Sequence, residues 1–395
     1  MAKPRAKLAT LGVHAGSSLP ASTTPPLIPP LLNSTSFRFS NRRAVQEYNR
    51  ARGPSQSLYG RYENPTVEAC EQKLSLLEGA EGCLLFGSGM AAISTTALAL
   101  LTSRDAARPL LCSTAIYGGT YRLFRDHLLP LGLPIVFLDP VALVEGEWPV
   151  RPALVYAESP TNPTTRVLDV EKLARRAREV GALSVVDATF ATPVLQRPLA
   201  FGVDLVLHSA TKYLGGHGDL LAGALLGRRE LLDRVEPLRK LFGGVLAPAL
   251  AATLARSLMT LELRVLRQSA TALDLAQRLS LDSRVQAVHY PGLPEHPDHT
   301  LALRQLRAFG AVVTFELPGG EADAERFYDG VRLFARAVSL GSVESLVSLP
   351  IDSSHVGFSE AELARAGVSR GMVRLSVGVE DVEDLWDDLD KALPG

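Results

Sequence analysis

From about residue 64 onward, short apolar runs alternate with helical stretches, and this alternation constrains the fold more than any other feature of the chain. "GCLLF" precedes "GMAAISTTALALL", and "PLLCST" precedes the helix-like "GTYRLFRDHLLPLG". "PIVFLD", "ALVYAES", the amphipathic "DVEKLARRAREVG", "LSVVDAT" and "VDLVLHS" follow. The apolar runs are nearly uninterrupted, as strands covered on both faces are. Helical spacers between them predict an α/β fold with a mostly parallel sheet. After about residue 245 the pattern loosens. One long helical stretch, "APALAATLARSLMTLELRVLRQSATALDLAQRLS", leads to "VQAVHYPG". "AVVTFEL", "VRLFARAVSL" and "MVRLSVG" then read as strands, and "EDVEDLWDDLDKAL" as the last helix. The expected organisation is an arm over 1–63 that contacts a neighbouring subunit, a large α/β domain over 64–245 and a smaller α+β domain over 246–395. Within the arm, 17–36 is too rich in proline for helix, and its apolar "LIPPLL" favours packing over solvation.

Charge and composition remove several classes of function. Lys plus Arg number 41 against 42 Asp plus Glu, so there is no basic footprint for nucleic acid. The longest apolar run, "MAAISTTALALL", is too short and too rich in hydroxyls to span a bilayer. The N-terminal "MAKPRAKLATLGVHAG" lacks the apolar segment of a secretory signal. Cys70, Cys83 and Cys112 show no metal-binding spacing and an odd count. The expected setting is a reducing, cytoplasmic one with no membrane partner. His296 and His299 in "HPDH" read as solvated histidines rather than ligands, and no metal is expected.

Ligands in open α/β sheets bind beyond the carboxyl ends of the strands, so the residues at those ends carry the functional information. "CLLF" runs into Ser88, Gly89 and Met90 at a helix start, where backbone amides suit phosphate, although small residues there also serve as caps. Tyr117 with Gly118 and Gly119 follows "PLLCSTAI". Glu158 and Asn162 follow "ALVYA", Asp187 and Thr189 follow "LSVV", and Ser209, Thr211 and Lys212 follow "DLVL". Each has an ordinary structural use in a turn or a cap. Together they supply one amine, one carboxylate, one aromatic face and several phosphate donors. Pyridoxal 5′-phosphate needs that set: an amine for its aldehyde, a carboxylate for its ring nitrogen, a stacking ring and donors for its phosphate. A dinucleotide-binding oxidoreductase is the alternative from another class, but "GSGMAA" lacks a full Gly-x-Gly-x-x-Gly.

The chain resembles the Cys/Met-metabolism family of pyridoxal-phosphate enzymes, which includes cystathionine γ-synthases, cystathionine γ- and β-lyases, methionine γ-lyases and O-acylhomoserine sulfhydrylases. The resemblance rests on "YGRYENPT", "FGSGMAA", "YGGTYRLF", "ESPTNP", "VDATFATP", "HSATKYLGGHGD" and "SLGSVESLVSLP" in that order. It implies fold type I of the pyridoxal-phosphate transferases and an amino-acid substrate. It implies Lys212 as the Schiff-base lysine, Asp187 at the pyridine nitrogen and Tyr117 stacked on the ring. Ser88, Gly89, Met90, Ser209 and Thr211 would surround the phosphate, with Thr189 also in the cofactor site and Asn162 by the ring hydroxyl. Tyr59 and Arg61 would reach the phosphate of a neighbouring subunit, which makes the expected active unit a homo-oligomer, usually a tetramer in the family. Arg374 would clamp the substrate carboxylate with Ser339 beside it.

The subtype is less sharply marked. Gly118 stands where methionine γ-lyases typically carry cysteine, and Arg122 matches an arginine that cystathionine enzymes use near the distal end of the substrate. Leu58 and Val338 stand where cystathionine γ-lyases and γ-synthases usually have acids. Glu63 replaces a more usual glycine, and "IDSSHVG" departs from the usual stretch around His355. The expectation is a cystathionine lyase or γ-synthase working by β- or γ-elimination or replacement. Methionine γ-lyase or O-acylhomoserine sulfhydrylase is the alternative.

Overall fold

The computed structural model describes residues 6–16, 24, 26–53, 56–101 and 108–395. Most of the proline-rich stretch at 17–25 therefore lies outside the described residues. Its continuation exposes Leu27, Ile28 and Leu31.

Seven strands form the main sheet: β1 (Gly82–Phe86), β2 (Leu110–Ser113), β3 (Ile135–Leu138), β4 (Leu154–Glu158), β5 (Leu183–Asp187), β6 (Leu205–His208) and β7 (Gly223–Gly227). Their order is β1-β7-β6-β5-β4-β2-β3. β7 runs antiparallel to both its neighbours and the other pairings are parallel. Alternate side chains feed two separate cores. Leu84 and Phe86 of β1 enter one, Cys83 and Leu85 the other, and Val185 and Val186 of β5 divide in the same way. Burial on both faces is why these strands read as unbroken apolar runs. The helix Val170–Glu179 shows the complementary pattern. Asp169 caps it by accepting from the Lys172 amide at 3.0 Å, and Val170, Leu173, Ala174 and Ala177 form its single buried stripe.

A second sheet has the order β10-β11-β12-β9-β8, from β8 (Ala287–His289), β9 (Val312–Glu316), β10 (Ala335–Arg336), β11 (Leu346–Ser348) and β12 (Met372–Ser376). It is antiparallel except where β10 meets β11. The long helix Leu261–Leu281 packs on β8, β9 and the helix Val382–Ala392 on one side and on Thr192–Leu195 of the main layer on the other.

Four expectations change. The long helical stretch is broken into Pro248–Ser257, a tight turn at Leu258–Thr260 and Leu261–Leu281. Arg264 fills the break, donating to the Ser257 carbonyl at 3.0 Å and the Thr260 hydroxyl at 3.2 Å. "VRLFARAVSL" contributes only Ala335–Arg336 as strand. The Asp388 carboxylate takes the amides of Arg332, Leu333 and Phe334, which a ladder would have used. Two short strands, β7 and β11, had no clear signal in the sequence. His296 is buried rather than solvated: its Nδ1 accepts from the Asp298 amide at 3.2 Å, and burial pushes its pKa down to about 4.

Candidate active site

Because β1, β2, β4, β5 and β6 share one direction, the segments leaving their carboxyl ends meet on one edge of the sheet. Ser88 Oγ accepts from the Ala91 amide at 3.1 Å and so caps the helix Gly89–Leu101. That leaves the Gly89 and Met90 amides without an acceptor among the described residues. Glycine allows two close contacts here, and at Gly223 it is required. A Cβ on Gly89 would lie 3.0 Å from the Ser209 Cβ, and one on Gly223 would lie 2.1 Å from the Ser88 carbonyl oxygen. Thr211 ties the next loop to this edge, its hydroxyl donating to the Ala222 carbonyl at 3.2 Å and accepting from the Ala222 amide at 3.0 Å.

Lys212 lies in the loop after β6, its carbonyl held by the Gly216 amide at 2.7 Å. Its Nζ donates to Ser339 Oγ at 2.7 Å. Burial, and secondarily the charge of Arg374, pushes the amine down to about 8. Ser339 holds φ at 111°, a left-handed conformation unusual for a residue with a side chain. Its carbonyl accepts from Arg374 Nη2 at 2.9 Å, while Nη1 of the same guanidinium donates to Asn162 Oδ1 at 2.9 Å. Arg374 comes from the centre of the second sheet and is 4 % exposed, and burial lowers it to about 10. Its Nε has no partner among the described residues. An arginine buried without a carboxylate points to an anionic ligand.

Asp187 ends β5. Its Oδ1 accepts from the Thr189 hydroxyl at 2.5 Å and the Thr189 amide at 3.0 Å, and its Oδ2 from the Tyr156 hydroxyl at 3.4 Å. The Thr189 hydroxyl also accepts from the Ser209 amide at 2.8 Å, which links the ends of β5 and β6. Burial raises Asp187, and burial together with the Asp187 charge raises Glu158 well above the usual carboxylate range. Tyr117 is 44 % exposed. Its ring lies against Gly119, where a Cβ would come within 2.5 Å of Cε1. Sequence reasoning assigned no role to Glu158 or Tyr156, because a buried acid at a strand end carries no periodic signal.

Four expected site residues stand apart. Arg61 donates to the Lys240 carbonyl at 2.7 Å and stacks over Tyr62 at 4.9 Å and Tyr59 at 5.6 Å. Among the described residues neither Tyr59 nor Arg61 shares a hydrogen bond with the Lys212 group. Val338 is 68 % exposed and lines a cavity of about 360 Å³ with Glu321, Glu325 and Ser353. Arg122 is exposed at the end of the helix Gly118–Arg122, close enough to His355 to disfavour its protonation. Burial first, then Arg374 and Arg122, holds His355 near 4. Glu63, which replaces a glycine of the family pattern, braces the preceding loop by accepting from the Leu58 amide at 2.7 Å and the Tyr48 hydroxyl at 2.5 Å.

A mostly parallel sheet with its polar residues gathered at the carboxyl edge, completed by an arginine from a smaller second sheet, defines a pyridoxal-phosphate enzyme of fold type I. The family model for Cys/Met metabolism PLP-dependent enzymes matches residues 9–394, and the chain belongs to that family. It is 40 % identical to an L-methionine gamma-lyase of Pseudomonas putida, covering 98 % of this chain and 96 % of that one. A solved cystathionine gamma synthase from Xanthomonas oryzae pv. oryzae superposes with a TM-score of 0.91 at 37 % identity, covering 99 % and 98 % of the two chains. A cystathionine gamma lyase from Micromonospora echinospora gives 0.87 at 42 % identity, covering 99 % and 100 %. Membership makes the chain a pyridoxal-phosphate-dependent enzyme of sulfur amino-acid metabolism, and the dinucleotide alternative falls away. The residues present fit the cofactor. A half-buried amine with lowered basicity, a buried carboxyl group, two helix-start amides free among the described residues and an unpartnered guanidinium nitrogen supply complementary groups for its aldehyde, ring and phosphate and for a substrate carboxylate.

Proposed function

We propose that this chain is a cystathionine lyase or cystathionine γ-synthase, with Lys212 as the attachment and proton-transfer residue. The observation that carries the site is the continuous set of bonds from Lys212 Nζ through Ser339 to Arg374 and Asn162. It sets the reactive amine beside the group suited to an α-carboxylate. When bound, the cofactor supplies an aldehyde for amine exchange and an electron-withdrawing ring. Asp187 would hold its ring nitrogen, Tyr117 would cover the ring, Asn162 would sit by its hydroxyl, and Ser88, Gly89, Met90, Thr189, Ser209 and Thr211 would enclose the phosphate end. Arg374 fixes the substrate carboxylate as a fork, so that the α-proton faces one side. Lys212 Nζ, deprotonated in part near neutral pH, takes that proton and returns it to the carbon or the leaving group. Loss or exchange of a β- or γ-substituent follows.

The space at Gly118 is closed: a Cβ there would lie 2.0 Å from the Ser354 carbonyl oxygen. The cystathionine reading rests on Arg122, which would face the distal end of the substrate. Methionine γ-lyase is the second reading, favoured by the apolar Leu58 and Val338. The exposed Tyr59 and the outward Leu27, Ile28 and Leu31 support a homo-oligomer, a tetramer in our reading, in which Tyr59 and Arg61 serve a neighbouring site. Buried, unpaired Cys70, Cys83 and Cys112 fit a reducing cytoplasm. No helix among the described residues is long and apolar enough to cross a membrane.

The test is a product assay with cystathionine, methionine, homocysteine, cysteine and acylated homoserines, with pyruvate separated from 2-oxobutyrate. Turnover of cystathionine, or its formation from cysteine and an acylated homoserine, is expected. Activity confined to methionine would sink the cystathionine reading in favour of the second.

A further inference from the structure

Two acids end neighbouring strands at the same register: Glu158 of β4 lies directly beside Asp187 of β5. Thr189 and Tyr156 engage Asp187. Glu158 is engaged differently. It is 4 % exposed, and its hydrogen bonds run to backbone amides: Oε2 accepts from Tyr117 N at 2.7 Å and Oε1 from Asn162 N at 3.1 Å. Those amides belong to different segments. Tyr117 follows β2 and carries the exposed aromatic face, while Asn162 lies in the turn after β4 and receives Arg374. One planar carboxyl group thus sets the spacing of two walls that have no other hydrogen bond to each other among the described residues. No lysine or arginine pairs with it there, so it is not an ion-pair residue. Cys112 on β2, Tyr156 on β4 and Asp187 on β5 are titratable groups around it; burial first, and then the Asp187 carboxyl beside it, raises Glu158 above the usual carboxylate range.

We propose that Glu158 is a positioning residue of the cofactor slot, bracing the Tyr117 and Asn162 backbones at a fixed spacing. The inference rests on the reading of Tyr117 and Asn162 given above. It predicts that loss of the brace loosens cofactor binding and changes ring orientation without unfolding the chain.

The experiment compares the wild type with Glu158→Ala and Glu158→Gln. Apoenzyme melting is recorded first. Pyridoxal phosphate is then titrated into each apoenzyme by visible absorbance, and the visible circular dichroism of each loaded form is measured. Glu158→Ala is expected to bind the cofactor about a hundredfold more weakly, because the Tyr117 and Asn162 amides lose their acceptor at about tenfold each. Glu158→Gln keeps one acceptor oxygen and is expected to lose about tenfold, a partial rescue. Visible dichroism should change in both while the apoenzyme transitions remain. Wild-type affinity and dichroism in the two variants would overturn the proposal. If Glu158→Ala does not fold, the same comparison with Glu158→Gln alone decides it. A wild-type apoenzyme that binds the cofactor separates this inference from the reading of the site; one that binds none overturns both.

Discussion

Lys212 Nζ and Ser339 Oγ are 2.7 Å apart, although 127 positions separate them in the chain. Ser339 is held at a φ of 111° to make this contact while its carbonyl serves Arg374. One residue in a strained backbone conformation therefore holds both groups, the Lys212 amine by its hydroxyl and the Arg374 guanidinium by its carbonyl.

Replacing Ser339 with Ala removes the acceptor and leaves Arg374 its backbone partner. A hydrogen bond to a charged group contributes about 1.5–3 kcal/mol, so kcat should fall about tenfold or more. Substrate KM should move less, because the clamp persists. Steady-state kinetics on the preferred substrate check this, and an unchanged kcat would reject an orienting role.

Lys212→Ala should abolish turnover and covalent fixation of the cofactor by borohydride while the chain still folds. The folded apoenzyme holds this amine at about 8, below the 10.5 of an exposed lysine. Between those values the unfolded chain binds more protons, so the lysine's contribution to stability rises with pH across that window. The melting temperature of wild-type apoenzyme minus that of Lys212→Ala should therefore increase from pH 8 to pH 10. A flat difference would show that the amine is not buried as described.

Asp187→Asn keeps the shape of the side chain and removes its charge. With no anion for a protonated ring nitrogen, kcat should drop about 10²-fold, the scale of losing one preorganised electrostatic partner. Cofactor affinity should weaken in parallel, as read by absorbance titration. Wild-type turnover in this variant would place the ring nitrogen elsewhere.

Gly118→Cys would drive a Cβ to within 2.0 Å of the Ser354 carbonyl oxygen. Backbone cannot yield as a flexible side chain can, so a loss of about 1–3 kcal/mol is expected. Denaturant unfolding measures it. Unchanged stability would mean that the 350–358 segment moves freely.

Arg122→Leu should raise the KM for cystathionine about tenfold, the order of one charge-assisted contact, and leave the KM for methionine nearly unchanged. Kinetics on both substrates decide it, and equal effects on the two would deny Arg122 a role at the distal end.

Much of this was legible without coordinates. Unbroken apolar runs such as "GCLLF" and "LSVV" gave away strands buried on both faces, and the polar residues following them marked the carboxyl edge. β7 was not legible because glycine begins and ends it, and β11 because it spans only Leu346–Ser348. Nor was the loss of strand at "VRLFARAVSL", because the competitor for its amides, Asp388, lies more than fifty positions away. Arg374 entered only through the family resemblance, while among the candidate site residues Lys212 and Asp187 stood out by type and place. Glu158 did not, because its partners are backbone amides and leave no trace in residue chemistry.

Periodicity and side-chain type act over a few residues, so the order of amino acids alone determined the layered α/β architecture and which polar groups follow its strands. Only the tertiary structure decided which of these groups meet. The Lys212–Ser339 bond, the Arg374 bridge to Asn162, the closed space at Gly118 and the brace at Glu158 depend on how distant segments pack and where their backbone dipoles point. Those directions are set by the whole fold, and no local pattern encodes them.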